Sequence, residues 1–202
     1  MLMGSAAAVI AYLLGSIPFG LLVVRLLTGA DVRASGSGNI GATNVLRTTG
    51  PLAGVLTLLL DLAKGFLSVW LASFMTGGSE LWMSAAALAV MLGHVFPVWL
   101  QFRGGKAVAT CTGAFLYLAP VPLLGVAILF VVLVWSTRYL SLGSVIAAGL
   151  LPVACFLILH PEWPLLIASL GSAVLVIWRH KDNLSRIRTG TENIFQFRRT
   201  VQ

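Results

Sequence analysis

Seven apolar segments follow one another along the chain, at roughly 4–27, 52–75, 81–101, 107–119, 121–137, 144–159 and 164–178. A helix needs about 20 apolar residues to cross the ~30 Å hydrocarbon core of a bilayer, and most of these segments approach that length. With 58% hydrophobic and 9% charged residues, an ordinary soluble domain is excluded. Seven helices would consume about 140 residues, which leaves only short loops in a chain of 202. The expected fold is an all-α integral membrane protein of seven transmembrane helices, a single domain over residues 1–202. The N-terminal stretch MLMGSAAAVIAYLLG has no basic region ahead of its apolar run, so it reads as the first crossing rather than a cleaved signal.

Charge placement orients the chain. Twelve of the thirteen Lys and Arg fall in four places: Arg25 to Arg47, Arg103 and Lys106, Arg138, and Arg179 onward. The intervening breaks near Thr76–Glu80, Ala119–Pro122 and His160–Pro164 carry none. Alternate loops are therefore basic, as the positive-inside pattern requires, with the N-terminus outside and the C-terminus cytoplasmic. The net charge of +7 is accounted for by membrane topology, and no nucleic-acid partner is expected. Residues 107–137 could form one kinked helix or a hairpin turning at Pro120; only the hairpin keeps every basic segment on one face. That choice leaves 107–119 as only ~20 Å of helix, so the loop carrying Arg103-Gly-Gly-Lys106 must dip inward and line a polar pocket. Some short or broken helices are thus expected around a cytoplasmic-side pocket. The polar tail, about 181–202, is expected along the inner surface, near anionic headgroups.

Polar blocks punctuate the apolar segments. The first runs Ser35-Gly-Ser-Gly-Asn-Ile-Gly-Ala-Thr-Asn-Val-Leu-Arg47. Its Gly36-x-Gly38-x-x-Gly41 spacing matches a dinucleotide motif, but no strand precedes it. Its N–H groups, the hydroxyls of Ser35, Ser37 and Thr43, the amides of Asn39 and Asn44, and Arg47 could surround a phosphate. A solvated turn with helix caps is the plainer reading. The second block, Gly93 to Thr110, places Lys106 after Gly104 and Gly105, either to hold a phosphate or to snorkel to the interface. It lacks the upstream glycine and following Ser or Thr of a P-loop. His94 there reads as a structural, hydrogen-bonded histidine.

In Arg138-Tyr-Leu-Ser-Leu-Gly-Ser144, Ser141 or Ser144 would cap the next helix or donate to an oxyanion. His180 and Asn183, three apart, share a face if helicity continues past Arg179. Asp61 and Lys64, at i, i+3 inside an apolar segment, read as a structural pair bracing the pocket. Gly15-Ser-Ile-Pro-Phe-Gly20 signals a kink or a close helix contact. Cys111 and Cys155 read as small buried hydrophobes, and the acidic residues are too few for a two-metal site. No nucleophile–base pair stands out. The inventory suits a substrate already activated, handled by positioning and by stabilising a departing phosphate.

The blocks GSIPFG, SGSGNIGATNVLR, DLAKG, GHVFPVWLQFRGGKAVAT, TRYLSLGS and RHKDN, in this order, closely resemble the acyl-phosphate-dependent glycerol-3-phosphate acyltransferases of bacteria, the PlsY family. Ile40 stands where proline is usual, Ala107 where glycine is common, and Glu192-Asn-Ile where Glu-Pro-Lys is frequent. The resemblance implies a bacterial inner-membrane enzyme, active as a monomer and without metal or cofactor. It would move a fatty acyl group from acyl phosphate to the 1-hydroxyl of glycerol 3-phosphate, giving lysophosphatidic acid and phosphate. By the same resemblance, Ser35, Gly36, Ser37, Gly38, Asn39, Gly41, Thr43, Asn44 and Arg47 would cradle acyl phosphate. Lys106, Ser144, His180 and Asn183 would hold glycerol 3-phosphate, with Ser35, Arg47, Lys106 and His180 catalytic. Asp61, Lys64, His94, Gly104, Gly105 and Ser141 would support the site. The rival reading is a transporter for a phosphorylated solute, which predicts polar groups on both faces and inverted repeats. A metal-dependent phosphotransferase would need an aspartate cluster the chain lacks.

Overall fold

A computed structural model of the protein describes residues 1–195 and is helical throughout, with no strand among the described residues. The first apolar segment forms two helices, α1 (Leu2–Ser16) and α2 (Phe19–Thr28), parted at Ile17-Pro18. Proline has no N–H to donate and crowds the preceding turn, so the ladder stops there. The polar block then runs into a short helix, α3 (Ala42–Thr48). Helices α4 (Pro51–Thr76) and α5 (Glu80–Val95) follow, then α6 (Val108–Leu118) and α7 (Pro120–Thr137). The last three are α8 (Leu140–Leu159), α9 (Trp163–Arg179) and α10 (Lys181–Arg188).

Among the described residues, five helical stretches are long and apolar enough to cross a membrane, and α9 with α10, bent by 52°, makes a sixth candidate. The eleven-residue α6 is the short element foreseen in the 107–119 segment. At 1.5 Å per residue it is about 16 Å long. The hairpin is visible in where its ends go. The start of α6 lies beside Asn183, through Lys106, and the end of α7 lies beside the returning tail, where Arg138 O accepts from Phe195 N at 2.8 Å. Pro120 opens α7 at a position where a missing N–H costs nothing.

Small residues let the helices approach closely. A Cβ on Gly15 would sit 2.1 Å from Val90 O, and one on Gly113 1.9 Å from Leu62 O. The α1–α5 and α4–α6 contacts therefore depend on glycine, as is common between helices in lipid.

A buried charged network ties these helices together. Lys64 Nζ donates to Gly15 O and Ile17 O at 3.0 Å each, the carbonyls freed by the α1–α2 break. It also pairs with Asp61 Oδ1 at 2.9 Å, both side chains being 3% exposed. His94 Nδ1 lies 3.7 Å from the same oxygen and 3.1 Å from Thr110 Oγ1. The network joins α1 and the α1–α2 break to α4, α5 and α6. Removing one partner of such a pair strands the other charge, at a cost of about 3–5 kcal/mol. Lys64→Met should therefore sharply lower the thermal midpoint of the detergent-solubilised protein. An unchanged midpoint would contradict the bracing role.

Candidate active site

The loop of residues 35–41 is organised from within by Asn44. Its Oδ1 accepts from Ser37 N at 2.9 Å, and its Nδ2 donates to Asn39 O at 2.8 Å, Ser35 O at 3.1 Å and Val32 O at 3.3 Å. Asn39 Oδ1 accepts from Gly41 N at 2.9 Å. Expected as a ligand donor, Asn44 instead commits its buried amide to the loop's own backbone. Ser35, Gly36, Ser37 and Gly38 are left exposed on the surface it shapes. Gly36 (φ +61°) needs glycine twice over, since a Cβ would also meet Asn44 Oδ1 at 2.3 Å. Thr43 lies exposed on α3, and Arg47 sits half-buried one turn further on.

The second wall is the loop between α5 and α6. Gly104 N and Gly105 N donate at 3.0 Å to Val95 O and His94 O, folding the loop back over the end of α5. A Cβ on Gly104 would meet His94 O at 2.1 Å, and one on Gly105 would meet His94 Nε2 at 2.1 Å. From the other side Arg179 donates to Gly105 O at 3.0 Å and Gly104 O at 2.9 Å. The strand of loop is thus pinned on both faces, and Lys106 follows it directly. Ala107, next in line, has φ +58°, a left-handed conformation that costs an L-residue about 1–2 kcal/mol. That strain explains why the related pattern favours glycine at this position.

The third group gathers around a carboxylate that the sequence reading left aside. Glu192 Oε1 accepts from Asn183 Nδ2 at 2.5 Å and Ser141 Oγ at 2.9 Å, and Oε2 accepts from Arg186 Nε at 2.7 Å. Asn183 in turn accepts from Lys106 Nζ. Burial alone would raise the Glu192 carboxyl, but the bonds from Asn183, Arg186 and Ser141 hold it below its usual range. Lys106 is pushed down to about 8, first by burial and then by Arg186, Arg179 and Arg47, against the pull of Glu192. Glu192 and Arg186 also act on Arg47, and Arg47 on Lys106, so the end of the first polar block lies in this neighbourhood. Lys106 therefore stands among three further cations, with Glu192 beside it and Asp182 beside Arg179.

The serines and His180 differ in detail from expectation. Neither Ser141 nor Ser144 caps α8, whose N-cap is Tyr139. Ser141 is engaged by Glu192, and Ser144 Oγ donates back to Leu140 O at 2.8 Å, as serines inside a first turn often do. Helicity is interrupted at His180 and resumes in α10 at a bend of 52°, and His180 and Asn183 are both buried. His180 Nδ1 lies 2.8 Å from Val176 O. A carbonyl only accepts, so Nδ1 carries the proton and Nε2 keeps its lone pair. Of the expected tail, residues 181–188 form α10 and 191–195 turn back to α8; residues 196–202 lie outside the described part.

A cleft of about 1240 Å³ opens between these walls. Gly36 to Ile40 line one side, Arg103, Gly104 and Lys106 another, and Arg179, Asn183 and Arg186 a third. Arg25 and Arg33 stand at its rim, both bonded to Asp31. The cleft also carries exposed Trp99, Phe102 and Trp178, so a cationic floor sits beside an apolar wall. Arg179, Arg186 and Glu192 had not been singled out. The one available signal was a lone glutamate after Gly190 in an otherwise basic tail.

Fold and site together define an integral membrane protein with a cleft lined by basic side chains. Comparison with known proteins makes this specific. The family model for glycerol-3-phosphate acyltransferase matches residues 5–190, so the chain belongs to that family. It is 48% identical over 188 residues to the glycerol-3-phosphate acyltransferase of Geobacter sulfurreducens, covering 93% of this chain and 95% of the relative. The Trichlorobacter lovleyi enzyme of the same name is 50% identical over 187 residues, covering 92% and 94%. Two crystal structures of PlsY, an integral membrane glycerol 3-phosphate acyltransferase, superpose with TM-scores of 0.90 and 0.88 at 36% and 35% identity. They cover 96% of this chain and 96% and 95% of theirs; one is the glycerol 3-phosphate form, the other the lysophosphatidic acid form.

The pinned loop yields a direct test of the site's construction. Gly105→Ala would drive a methyl into the buried His94 ring. Activity should fall at least about a hundredfold, because an ångström's displacement of a positioning group can cost that much. Near-normal turnover in a folded Gly105→Ala protein would contradict the arrangement.

Proposed function

We propose that the chain takes its acyl group from acyl phosphate and passes it to the 1-hydroxyl of glycerol 3-phosphate, releasing lysophosphatidic acid and inorganic phosphate. One observation carries this reading: a glycine-rich loop and a cationic group around Lys106 face each other across one cleft. Two phosphate-bearing substrates need two such holders, and a transporter would need comparable polar groups on the opposite face. The solved relative's glycerol 3-phosphate and lysophosphatidic acid forms support the same acceptor and product here.

The exposed backbone of Ser35 to Asn39, with Thr43 and Arg47 beside it, holds the acyl phosphate. Lys106, His180 and Asn183 hold glycerol 3-phosphate, with Ser144 at the start of α8 behind them. The acceptor hydroxyl attacks the acyl carbonyl carbon; the C–O bond to phosphate then breaks, and the leaving phosphate departs with both electrons. Arg47 and Lys106 stabilise its charge. The Nε2 lone pair of His180 orients the attacking hydroxyl, whose proton passes to a substrate phosphate. No covalent acyl-enzyme forms. Asp61, Lys64, His94, Gly104, Gly105 and Ser141 keep the walls in place. The protein acts as a monomer and a single domain, crosses the bacterial inner membrane seven times, and opens its cleft to the cytoplasm. Basic groups at the cleft end, and none in the loops at the other end, support that orientation.

Purified protein given acyl phosphate and glycerol 3-phosphate, without metal, thioester or carrier protein, should release phosphate and form lysophosphatidic acid. No release would overturn the assignment. Lys106→Ala should raise KM for glycerol 3-phosphate by at least tenfold, the ~1.5–3 kcal/mol of a charge-assisted bond. The ammonium, held near 8 by burial, loses its proton as pH climbs through that value. KM for glycerol 3-phosphate should therefore rise between pH 7.5 and 9 (roughly, around that pKa) in the parent and stay flat in Lys106→Arg.

A further inference from the structure

Arg186 spends only part of its guanidinium on the protein. Its Nε donates to Glu192 Oε2 at 2.7 Å, while the two terminal amino groups donate no hydrogen bond among the described residues. The side chain, 39% exposed, lines the cleft together with Lys106 and Asn183. We infer that Arg186 is a phosphate-binding residue shared by the two substrates, its free amino groups taking an oxygen from each phosphate. The inference rests on the acyl-transfer reading and deepens it.

Three observations favour this role over that of a plain ion pair. An ion pair so exposed adds little to stability, and Glu192 is already held through its other oxygen by Asn183 and Ser141. Contact at Nε alone leaves free the N–H groups of the planar fork that suits phosphate oxygens. Arg179 shows the contrast, since it gives both Nε and Nη2 to the carbonyls of Gly105 and Gly104 and so serves as a loop pin. Position is the third observation. Glu192 holds Arg186 by one oxygen and Asn183, the partner of Lys106, by the other, which fixes the guanidinium beside the acceptor's holders. Its charge also reaches Arg47, at the end of the donor's loop. Two phosphates brought into one cleft repel each other, more strongly as water leaves. A cation within reach of both lowers that repulsion as they meet.

Arg186→Lys is the discriminating variant, because it keeps a cation for Glu192 and gives up the free amino groups. KM should rise at least about tenfold for both acyl phosphate and glycerol 3-phosphate, the loss of a charge-assisted bond to each. The thermal midpoint should stay close to the parent's. Arg188→Gln, which removes one positive charge from an exposed position on α10, should leave both KM values within about twofold. A second measurement needs no variant. Phenylglyoxal labelling of the parent, read residue by residue in a mass spectrometer, should be blocked at Arg186 by saturating inorganic phosphate and be unaffected at Arg188. Parent-like KM values in Arg186→Lys, or labelling of Arg186 indifferent to phosphate, would overturn the proposal. A rise in KM for glycerol 3-phosphate alone would overturn the sharing. A parent unable to use acyl phosphate would overturn the acyl-transfer reading itself, and the shared role with it.

Discussion

The site depends on how a broken helix is made tolerable inside a membrane bundle. Parting α1 from α2 at Pro18 leaves Gly15 O without its helical donor and Ile17 O with only the tight-turn bond from Phe19 N at 3.1 Å. Lys64 satisfies both, and Asp61 balances its charge. Just past the break, Gly20 on α2 lets the loop come close, since a Cβ there would strike Ile40 O at 1.9 Å. The glycine-rich loop is thereby hung against the bundle's end. Through His94 and Thr110 the same charged cluster reaches α5 and α6, whose connecting loop carries Lys106. Both walls of the cleft are thus anchored to one buried network.

Electrostatics then decide what the cleft can hold. Arg47, Arg179 and Arg186 all act on Lys106, and Glu192 beside Lys106 and Asp182 beside Arg179 offset only part of that positive charge. Half-burial strengthens each charge by lowering the local dielectric, and it is also what pushes the Lys106 ammonium toward neutrality. Glu192 limits that tendency while orienting Asn183 and Arg186. An incoming phosphate relieves the same imbalance. On the proposed reading, substrate binding and the repair of that electrostatic imbalance are one event.

Much of this was legible in the residues, because each legible feature follows from a local rule. Apolar run length marked the helices, and Pro18, Pro120 and the short 107–119 segment marked the breaks. The Asp61–Lys64 spacing announced a pair. What escaped were contacts between distant positions. Glu192 reaches Ser141 across fifty-one positions, and Arg179 reaches Gly105 across seventy-four. No periodicity encodes those. Asn44 and Ser144 were read as donors facing a ligand, yet both spend their groups on nearby carbonyls or amides. Short polar side chains satisfy the closest backbone group first, and only the fold shows which group that is.

Direct transfer between two substrates is the central claim, and it concerns where the acyl group is never found. A single-turnover experiment with acyl-labelled acyl phosphate, quenched in acid before and after glycerol 3-phosphate is added, tests it most directly. The account predicts no label on denatured protein at any time, and label passing straight into lysophosphatidic acid once the acceptor is present. Acid-stable label on the protein, formed without acceptor and chased into product by it, would contradict it.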